Sequence, residues 1–230
     1  MLDRFEDVFD EHSAQLVASI NPVLVQRASS GPLTPATLLA KLSELSSDEE
    51  LDELAEAYVE RLAGPDGSSI AGLFDQLREH GATRLRLSVA HRAISRLGSE
   101  PHPMPPPLID LACRNVDQVS VEDQRLLAAG LAVRLRTHLD QAPEIANQIM
   151  RVRAISATPA QELVRALIDA EGAIGDLDSR RVLLGAANAI RGARKSRATK
   201  LMRTRLENLQ ASSDDADREL AESFLSLLDS

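Results

Sequence analysis

The sequence predicts an all-α protein, because apolar residues recur at helical spacing and residues that favour strands are scarce. Hydrophobic residues make up 43% of the 230-residue chain, whereas aromatic residues make up only 2%. Leucine, alanine, isoleucine and valine must therefore build the core, and alanine and leucine favour helix. Near the start, Phe5, Val8 and Phe9 follow the three-and-four spacing of one helix face. We expect a helix from Asp3 to about Ile20 and almost no sheet.

Start signals for helices continue along the chain. Thr34 followed by Pro35 is typical of an N-cap and a first helical position. Ser47 precedes three acidic residues, which favour a helix start because they complement the helix dipole. Further helices are predicted over 68–80, 83–97, 106–115, 121–140, 143–156, 159–171, 177–193, 197–210 and 214–228.

A common apolar frame recurs in the second helix of successive hairpins. The frames are YVERL at 58–62, AISRL at 93–97, LAVRL at 131–135, AIRGA at 189–193 and FLSLL at 224–228. Their starts differ by 35, 38, 58 and 35 residues, and the longest interval leaves room for one extra helix, PEIANQIMRVRAI.

Repeats of this size, with one helical hairpin per unit, indicate a solenoid, since a hairpin buries its apolar face only by stacking on its neighbours. We therefore predict a right-handed α-solenoid of antiparallel helical hairpins with about 11–13 helices. One residue of each frame should face inward: Val59, Ile94, Ala132, Ile190 and Leu225.

The repeats resemble HEAT-like and armadillo-like α-solenoids, in which paired antiparallel helices stack into a curved superhelix. The resemblance covers residues 34–230 and rests on the period and the apolar register. The Asp and Arg residues that the family carries between hairpins are matched in part by GDLDSRRVLL at 175–184 and SDDADREL at 213–220. The expected organisation is a segment of N-terminal capping helices at 1–33 and a helical-repeat domain at 34–230, with a Pro-rich connector at 98–107 inside it.

No catalytic, metal or cofactor motif is recognisable in the sequence. The five histidines are far apart, and none forms a metal-ligand pair at helical spacing. His91 lies in TRLRLSVAHRAISRLG, and we expect a partly buried packing residue there, because nothing nearby could activate it as a base. Cys113, the only cysteine, is expected to be a small core residue. We expect no enzymatic activity, no cofactor and no metal.

Two further resemblances, to a phosphate-binding loop and to DNA-repair glycosylases, lack residues that these sites need. GPDGSSIAG at 64–72 resembles a phosphate-binding loop, but no lysine follows it and no strand precedes it. A turn with Ser68 or Ser69 as N-cap is the favoured interpretation. Some HEAT-like solenoids are DNA-repair glycosylases, which implies aromatic side chains near a catalytic carboxylate, whereas this chain has no tryptophan and one tyrosine.

Charge is distributed unevenly. The net charge is −9, and residues 1–63 account for all of it, with 13 acids and 4 bases. The segment RGARKSRATKLMRTR at 191–205 holds seven bases and no acid. It either binds phosphates or an acidic partner, or it pairs with the acidic last helix through Asp214, Asp215, Asp217 and Glu219. The candidate contacts are Arg191, Arg194, Lys195, Arg197, Lys200 and Arg203.

The favoured function is a non-enzymatic helical-repeat scaffold or adaptor that binds a protein partner, as a free module or as the regulatory part of a larger assembly. The alternative is a nucleic-acid-binding solenoid that uses 191–205. No stretch approaches the ~20 apolar residues that a membrane span requires, and the acidic N-terminus is unlike a signal peptide. We therefore expect a cytoplasmic protein without a membrane partner. Its oligomeric state is open.

Overall fold

The structure is a computed structural model that describes residues 35–65, 67–99, 104–152, 155–190 and 197–229. Over these residues the chain forms eleven α-helices and one 3₁₀ turn and no strand, as the sequence predicts. The chain divides into two compact units, Met1–Ala93 and Ile94–Ser230. The capping helices predicted at 1–33 lie outside the described residues.

The first four helices begin in the first unit. They are α1 (Pro35–Leu45), α2 (Asp48–Leu62), α3 (Gly67–Glu79) and α4 (Thr83–Ser99), and the boundary between the two units falls within α4.

The second unit holds the other helices. They are α5 (Pro106–Arg114), the 3₁₀ turn (Val116–Gln118), α6 (Val121–Thr137), α7 (Ala142–Ile149), α8 (Ala157–Ala173), α9 (Leu177–Ile190), α10 (Arg197–Gln210) and α11 (Asp215–Asp229).

The predicted start of α2 is confirmed in detail. Ser47 is the N-cap, and its hydroxyl accepts a hydrogen bond from the Glu50 backbone N–H at 3.3 Å. The Glu50 carboxylate in turn accepts one from the Ser47 N–H at 2.8 Å, which completes a capping box. The helix α3, by contrast, begins at Gly67, so Ser68 and Ser69 lie inside the helix and neither is its N-cap.

The arginines around His91 are used to join helices in the first unit. Arg84 donates to the carbonyl oxygens of Ser43 and Ser46, at the C-terminal end of α1, where the helix leaves carbonyls without partners. Arg92 contacts the carboxylates of Asp52 and Glu56 on α2 at 3.1 and 3.6 Å. The basic helix α4 therefore pairs electrostatically with the acidic helix α2.

His91 itself is exposed, so the expectation of a partly buried ring is wrong. The buried positions of α4 include Val89, Ala93 and Leu97, which are four residues apart and define one face. His91 is two residues from Val89, about 200° around the helix, and therefore points away from that face.

The core of the first unit is organised around its one buried tyrosine. The Tyr58 hydroxyl donates to the Ile70 carbonyl oxygen at 2.5 Å, and its ring meets Phe74 edge-on with 6.1 Å between ring centroids. The Arg86 guanidinium lies 5.3 Å from the centre of the same Phe74 ring. Burial raises the pKa of Tyr58 well above its usual value, and the charge of Asp75 adds to the shift.

The helices of the second unit contact one another in two rows. One row is α6, α8 and α10, and the other is α5, α7, α9 and α11, with each member contacting the next. Helices from different rows also contact, for example α8 with α9 and α10 with α11.

The extra helix α7 changes the register that the sequence predicts. The frame LAVRL at 131–135 lies on α6, in the row of α8 and α10, whereas the frames at 189–193 and 224–228 begin on α9 and lie on α11, in the other row. One additional helix moves every later helix to the opposite row, so the frames are not equivalent positions.

Burial of the frame residues follows the prediction at four of five positions. Val59, Ile94, Ala132 and Ile190 are buried, but Leu225 is half-buried and Phe224 fills the core beside it. The helix predicted over 143–156 ends at Ile149, because the N–H groups of Arg151 and Val152 turn back to form i→i+3 bonds.

A close approach fixes where the end of α4 crosses α6. A Cβ built on Gly130 would lie 2.8 Å from the carbonyl carbon of Leu97, so only glycine fits there. One turn later, the buried Arg134 donates to the carbonyl oxygens of Leu97 and Gly130. The Leu97 carbonyl is in the last turn of α4, where a helix leaves its acceptors without backbone donors.

None of the helices in the described ranges is both long and apolar enough to cross a membrane.

Replacing Gly130 tests the α4–α6 crossing. Gly130→Ala should lower the free energy of unfolding by about 1–3 kcal/mol, because the methyl group meets backbone that cannot move aside cheaply. The matched control is Gly185→Ala on α9, whose Cβ would only touch the Met150 sulfur at 4.0 Å and which should gain about 0.5–1 kcal/mol from helix propensity. Both changes are measured by urea unfolding followed by circular dichroism. A Gly130→Ala variant as stable as Gly185→Ala would contradict the close approach.

Candidate functional site

A groove of about 640 Å³ lies between α8 and α10. Its volume is in the range of ordinary ligand sites. The α8 wall is lined by Gln161, Arg165, Ile168 and Asp169, and the α10 wall by Arg197, Lys200, Leu201, Thr204, Arg205 and Asn208.

The charge in the groove is mainly positive. Arg165, Arg197 and Lys200 are exposed, and no carboxylate among the described residues forms an ion pair with them. Asp169 is partly neutralised by Arg136 of α6, 3.6 Å away. Arg205 lies at the back of the groove and is already paired. Three cations are therefore available to an anionic ligand.

Arg205 is held by a carboxylate that is completely buried. The Glu171 side chain on α8 has no solvent exposure, and one of its oxygens accepts from the Arg205 Nε at 2.7 Å. Its other oxygen accepts from the Arg180 Nε of α9 at 2.8 Å. Arg180 also contacts Asp217 of α11 at 2.6 Å. We call these four residues the Glu171 network, and it joins α8, α9, α10 and α11.

The pKa values of Asp217 and Arg180 are shifted in the direction that favours their charged forms. Hydrogen bonding by the Ser212 side chain is the largest influence on Asp217, and with the Arg180 hydrogen bond it lowers the pKa of that carboxyl. For Arg180, desolvation alone would lower the pKa, but hydrogen bonds to Asp217 and Glu171 outweigh it, so the pKa rises. Both side chains therefore remain charged at neutral pH.

The structure brings together two of the six basic residues that the sequence predicts as contacts. Arg197 and Lys200 both line the groove, whereas Arg203 is exposed on α10 but is not part of the lining. Arg191, Arg194 and Lys195 lie outside the described residues.

Sequence reasoning missed the α8 wall of the groove. Arg165, Ile168 and Gln161 are about 40 residues before their counterparts on α10, and none belongs to a charged cluster in the sequence. The available signal is the helical spacing of Gln161, Arg165 and Ile168 at i, i+4 and i+7, which places them on one face. Using that signal requires knowing that α8 contacts α10.

Two acids of the last helix contact arginines of α9. Asp217 contacts Arg180, and Glu219 contacts Arg181 at 3.3 Å, so both reach arginines of α9. Within 191–205, Arg205 is close enough to Asp217 to contribute to its lowered pKa. The ion-pair partner of Arg205 is nevertheless Glu171 of α8, so the predicted pairing of the basic segment with α11 is not seen at this residue.

Other candidate groups do not assemble into a site. Cys113 is buried, and burial raises its thiol pKa far above the usual value, with a smaller contribution from Asp110, which fits the predicted core role. Among the described residues, no three His, Cys, Asp or Glu side chains converge as metal ligands. A smaller groove of about 340 Å³ lies between α5 and α7 and is largely apolar.

Comparison with known proteins identifies no relative: no family model, no curated protein and no solved structure matches the chain.

The buried carboxylate of the network predicts a large stability effect. Glu171→Gln should lower the free energy of unfolding by about 3 kcal/mol, because it leaves Arg205 partly desolvated without a counter-charge. Asp169→Asn on the same helix breaks only an exposed pair with Arg136 and should change it by less than about 1 kcal/mol. Urea unfolding of the two variants beside the wild type measures both. If Glu171→Gln lowers the free energy of unfolding as little as Asp169→Asn does, the network does not stabilise the second unit.

The lowered pKa of Asp217 predicts a pH dependence of stability. Because the folded-state pKa lies below the unfolded value of about 3.9, Asp217 stabilises the fold above that pH and the contribution disappears as pH falls through the folded pKa. Wild type should thus be more stable than Asp217→Asn at pH 7, and the difference should shrink in acid. The measurement is urea unfolding of both proteins from pH 7 down to about pH 3. A difference that stays constant over this range would contradict the assignment.

Proposed function

We propose that this chain is a non-enzymatic helical-repeat scaffold that binds an acidic segment of a protein partner in the α8–α10 groove. The observation that carries the proposal is the combination, in one groove, of three cations that form no ion pair with any described residue and the half-buried apolar side chains Ile168 and Leu201. Acidic side chains would contact the cations, and apolar side chains of the same segment would cover Ile168 and Leu201.

The proposed architecture is a right-handed solenoid of antiparallel hairpins similar to the HEAT-like family. It is supported by the contacts of α6 with α8 and α8 with α10, and of α7 with α9 and α9 with α11. Successive hairpins in a solenoid contact one another through equivalent helices, and the stacked helices form the extended surfaces on which solenoids bind partners. The proposed site lies between two such helices, α8 and α10.

A binding role is also favoured over catalysis by the chemistry of the groove. Its lining contains no histidine, cysteine or serine, and its acid, Asp169, is engaged by Arg136. Among the described residues, the thiol that could act as a nucleophile is the buried Cys113, which is fully protonated at neutral pH. The proposal is accordingly a scaffold without a reaction of its own.

Nucleic acid is the second candidate partner, since Arg165, Arg197 and Lys200 could contact phosphates. No aromatic side chain lines the groove, so bases would have nothing on which to stack. The apolar side chains Ile168 and Leu201 would also be left uncovered by a phosphate backbone. These two points favour the acidic protein segment.

Site-specific photo-crosslinking identifies the class of partner. A photoreactive amino acid at Thr204, which lines the groove, should give a crosslinked adduct in the cells that produce the protein, and the adduct should resist nuclease and be digested by protease. The adduct should weaken when Arg165→Glu and Lys200→Glu are added, because the groove loses its attraction for acids.

Two controls keep this result specific. The same photoreactive group at Glu207, exposed on α10 but outside the groove, should give no such adduct. Arg125→Glu, the same charge change on α6, should leave the Thr204 adduct intact. A nuclease-sensitive adduct would establish the nucleic-acid alternative, and adducts of equal yield from Thr204 and Glu207 would overturn the groove as the site.

A further inference from the structure

We infer that the segment bound in the α8–α10 groove is an amphipathic α-helix with acidic side chains beside an apolar stripe. This inference rests on the proposed function of the groove and specifies the conformation and side-chain pattern of its ligand. The arguments are the length of the groove, its apolar surface, the placement of its cations and the absence of the features that other peptide conformations need.

The length of the groove matches a short helix. On α10 the lining runs from Arg197 to Asn208, which at 1.5 Å per residue is about 16 Å. The lining residues recur every three or four positions, so the wall is one continuous face of α10 and is approximately straight. Three turns of a ligand helix would lie along it.

The apolar part of the groove favours a ligand with a continuous apolar stripe. Ile168 on α8 and Leu201 on α10 are half-buried, and each presents its remaining surface to the groove. Covering that surface is favourable by roughly 25 cal/mol per Å². A helix with apolar residues at i, i+3, i+4 and i+7 covers both side chains without exposing polar backbone, because its own N–H and C=O groups are already paired.

The cations are placed on both walls of the groove. Arg165 lies on the α8 wall, and Arg197 and Lys200 lie on the α10 wall. A ligand helix whose apolar stripe is bordered by Asp or Glu residues meets a cation on each side. The arrangement therefore fits a ligand helix that carries carboxylates along both borders of its apolar stripe.

Other peptide conformations lack what they need in this groove. The recurring mode in which an extended peptide adds a strand to a sheet needs an exposed sheet edge, and the described part of the chain contains no strand. A polyproline segment binds in grooves lined by aromatic rings, and the lining of this groove contains none. A helix laid between two helices remains the mode that the groove supports.

Selection from a random library of peptides about 16 residues long tests the inference without assuming a sequence. The library is selected on the full chain and then counter-selected on the Arg165→Glu, Lys200→Glu double variant, with Arg125→Glu as the charge-matched control. The expected peptides combine Asp or Glu with apolar residues at i, i+3, i+4 and i+7, bind wild type and Arg125→Glu equally, and bind the double variant at least tenfold more weakly.

A proline scan of an enriched peptide tests its conformation directly. Proline in the middle of the peptide should weaken binding about a hundredfold, because it breaks a helix, whereas proline at the first position should have little effect. Leu201→Ala should also weaken binding, which an electrostatic contact alone would not predict.

The outcomes separate this inference from the proposed function. Acidic peptides that depend on Arg165 and Lys200 but show no helical spacing and tolerate central proline would overturn the helix and leave the acidic-segment function in place. Enriched peptides that bind the double variant as well as wild type, or no enrichment of acidic peptides, would overturn both.

Discussion

The buried carboxylate of Glu171 is the constraint on which the second unit depends. An isolated carboxylate inside a protein is unfavourable by several kcal/mol, so it remains buried only while its cationic partners stay in place. Those partners come from α9 and α10, and the α9 partner, Arg180, is itself held by Asp217 of α11. Apolar contacts between leucines and alanines are not directional, whereas these hydrogen bonds are. The network therefore fixes the relative positions of four helices more narrowly than the core alone would.

Arginine has the same joining role elsewhere in the chain. Arg84 reaches the end of α1, and Arg134 reaches the end of α4, and each donates to carbonyls that the helix leaves without backbone donors. A guanidinium suits this role because it is always charged and carries five donors in a fixed plane. Arg165, Arg197 and Lys200, by contrast, form no ion pair within the described part of the chain, and all three line the α8–α10 groove.

Local features were predictable from the sequence, and features that depend on contacts between distant segments were not. The helix start at Ser47 and the bounds of α10 depend on neighbouring residues and the helical period, so the prediction is correct there. Whether His91 is buried depends on which face of α4 packs against the core. A side chain two residues away from a buried position lies on nearly the opposite face of a helix, so a small error in the predicted face reverses the prediction for His91. The register after α7 depends on which row this additional short helix joins, which the interval of 58 residues indicates but does not resolve.

The same distinction between local features and contacts of distant segments applies to the residues of the candidate site. Arg197 and Lys200 were predictable because they belong to a run of bases, whereas Arg165 stands alone in the sequence and becomes significant only beside α10. Conversely, Arg203 belongs to the run but lies off the groove, since charge density along the chain says nothing about the direction of a side chain. A basic segment therefore predicts that a site exists near it, and the contacts between helices decide which cations belong to it.

The Glu171 network also bears on how the groove would bind. It holds Arg205 and the α8–α10 spacing in place before a ligand arrives, so little conformational entropy is lost on the protein side and the ordering cost falls on the ligand. Because Glu171 neutralises Arg205, the charge that attracts a ligand comes from the three exposed cations, whose fields salt screens over about 8 Å. Exposed charges of this kind mainly raise the association rate and select the sign of the partner. The apolar contacts at Ile168 and Leu201 would then set how long the complex lasts, so discrimination among acidic partners depends on the apolar residues that accompany their acids.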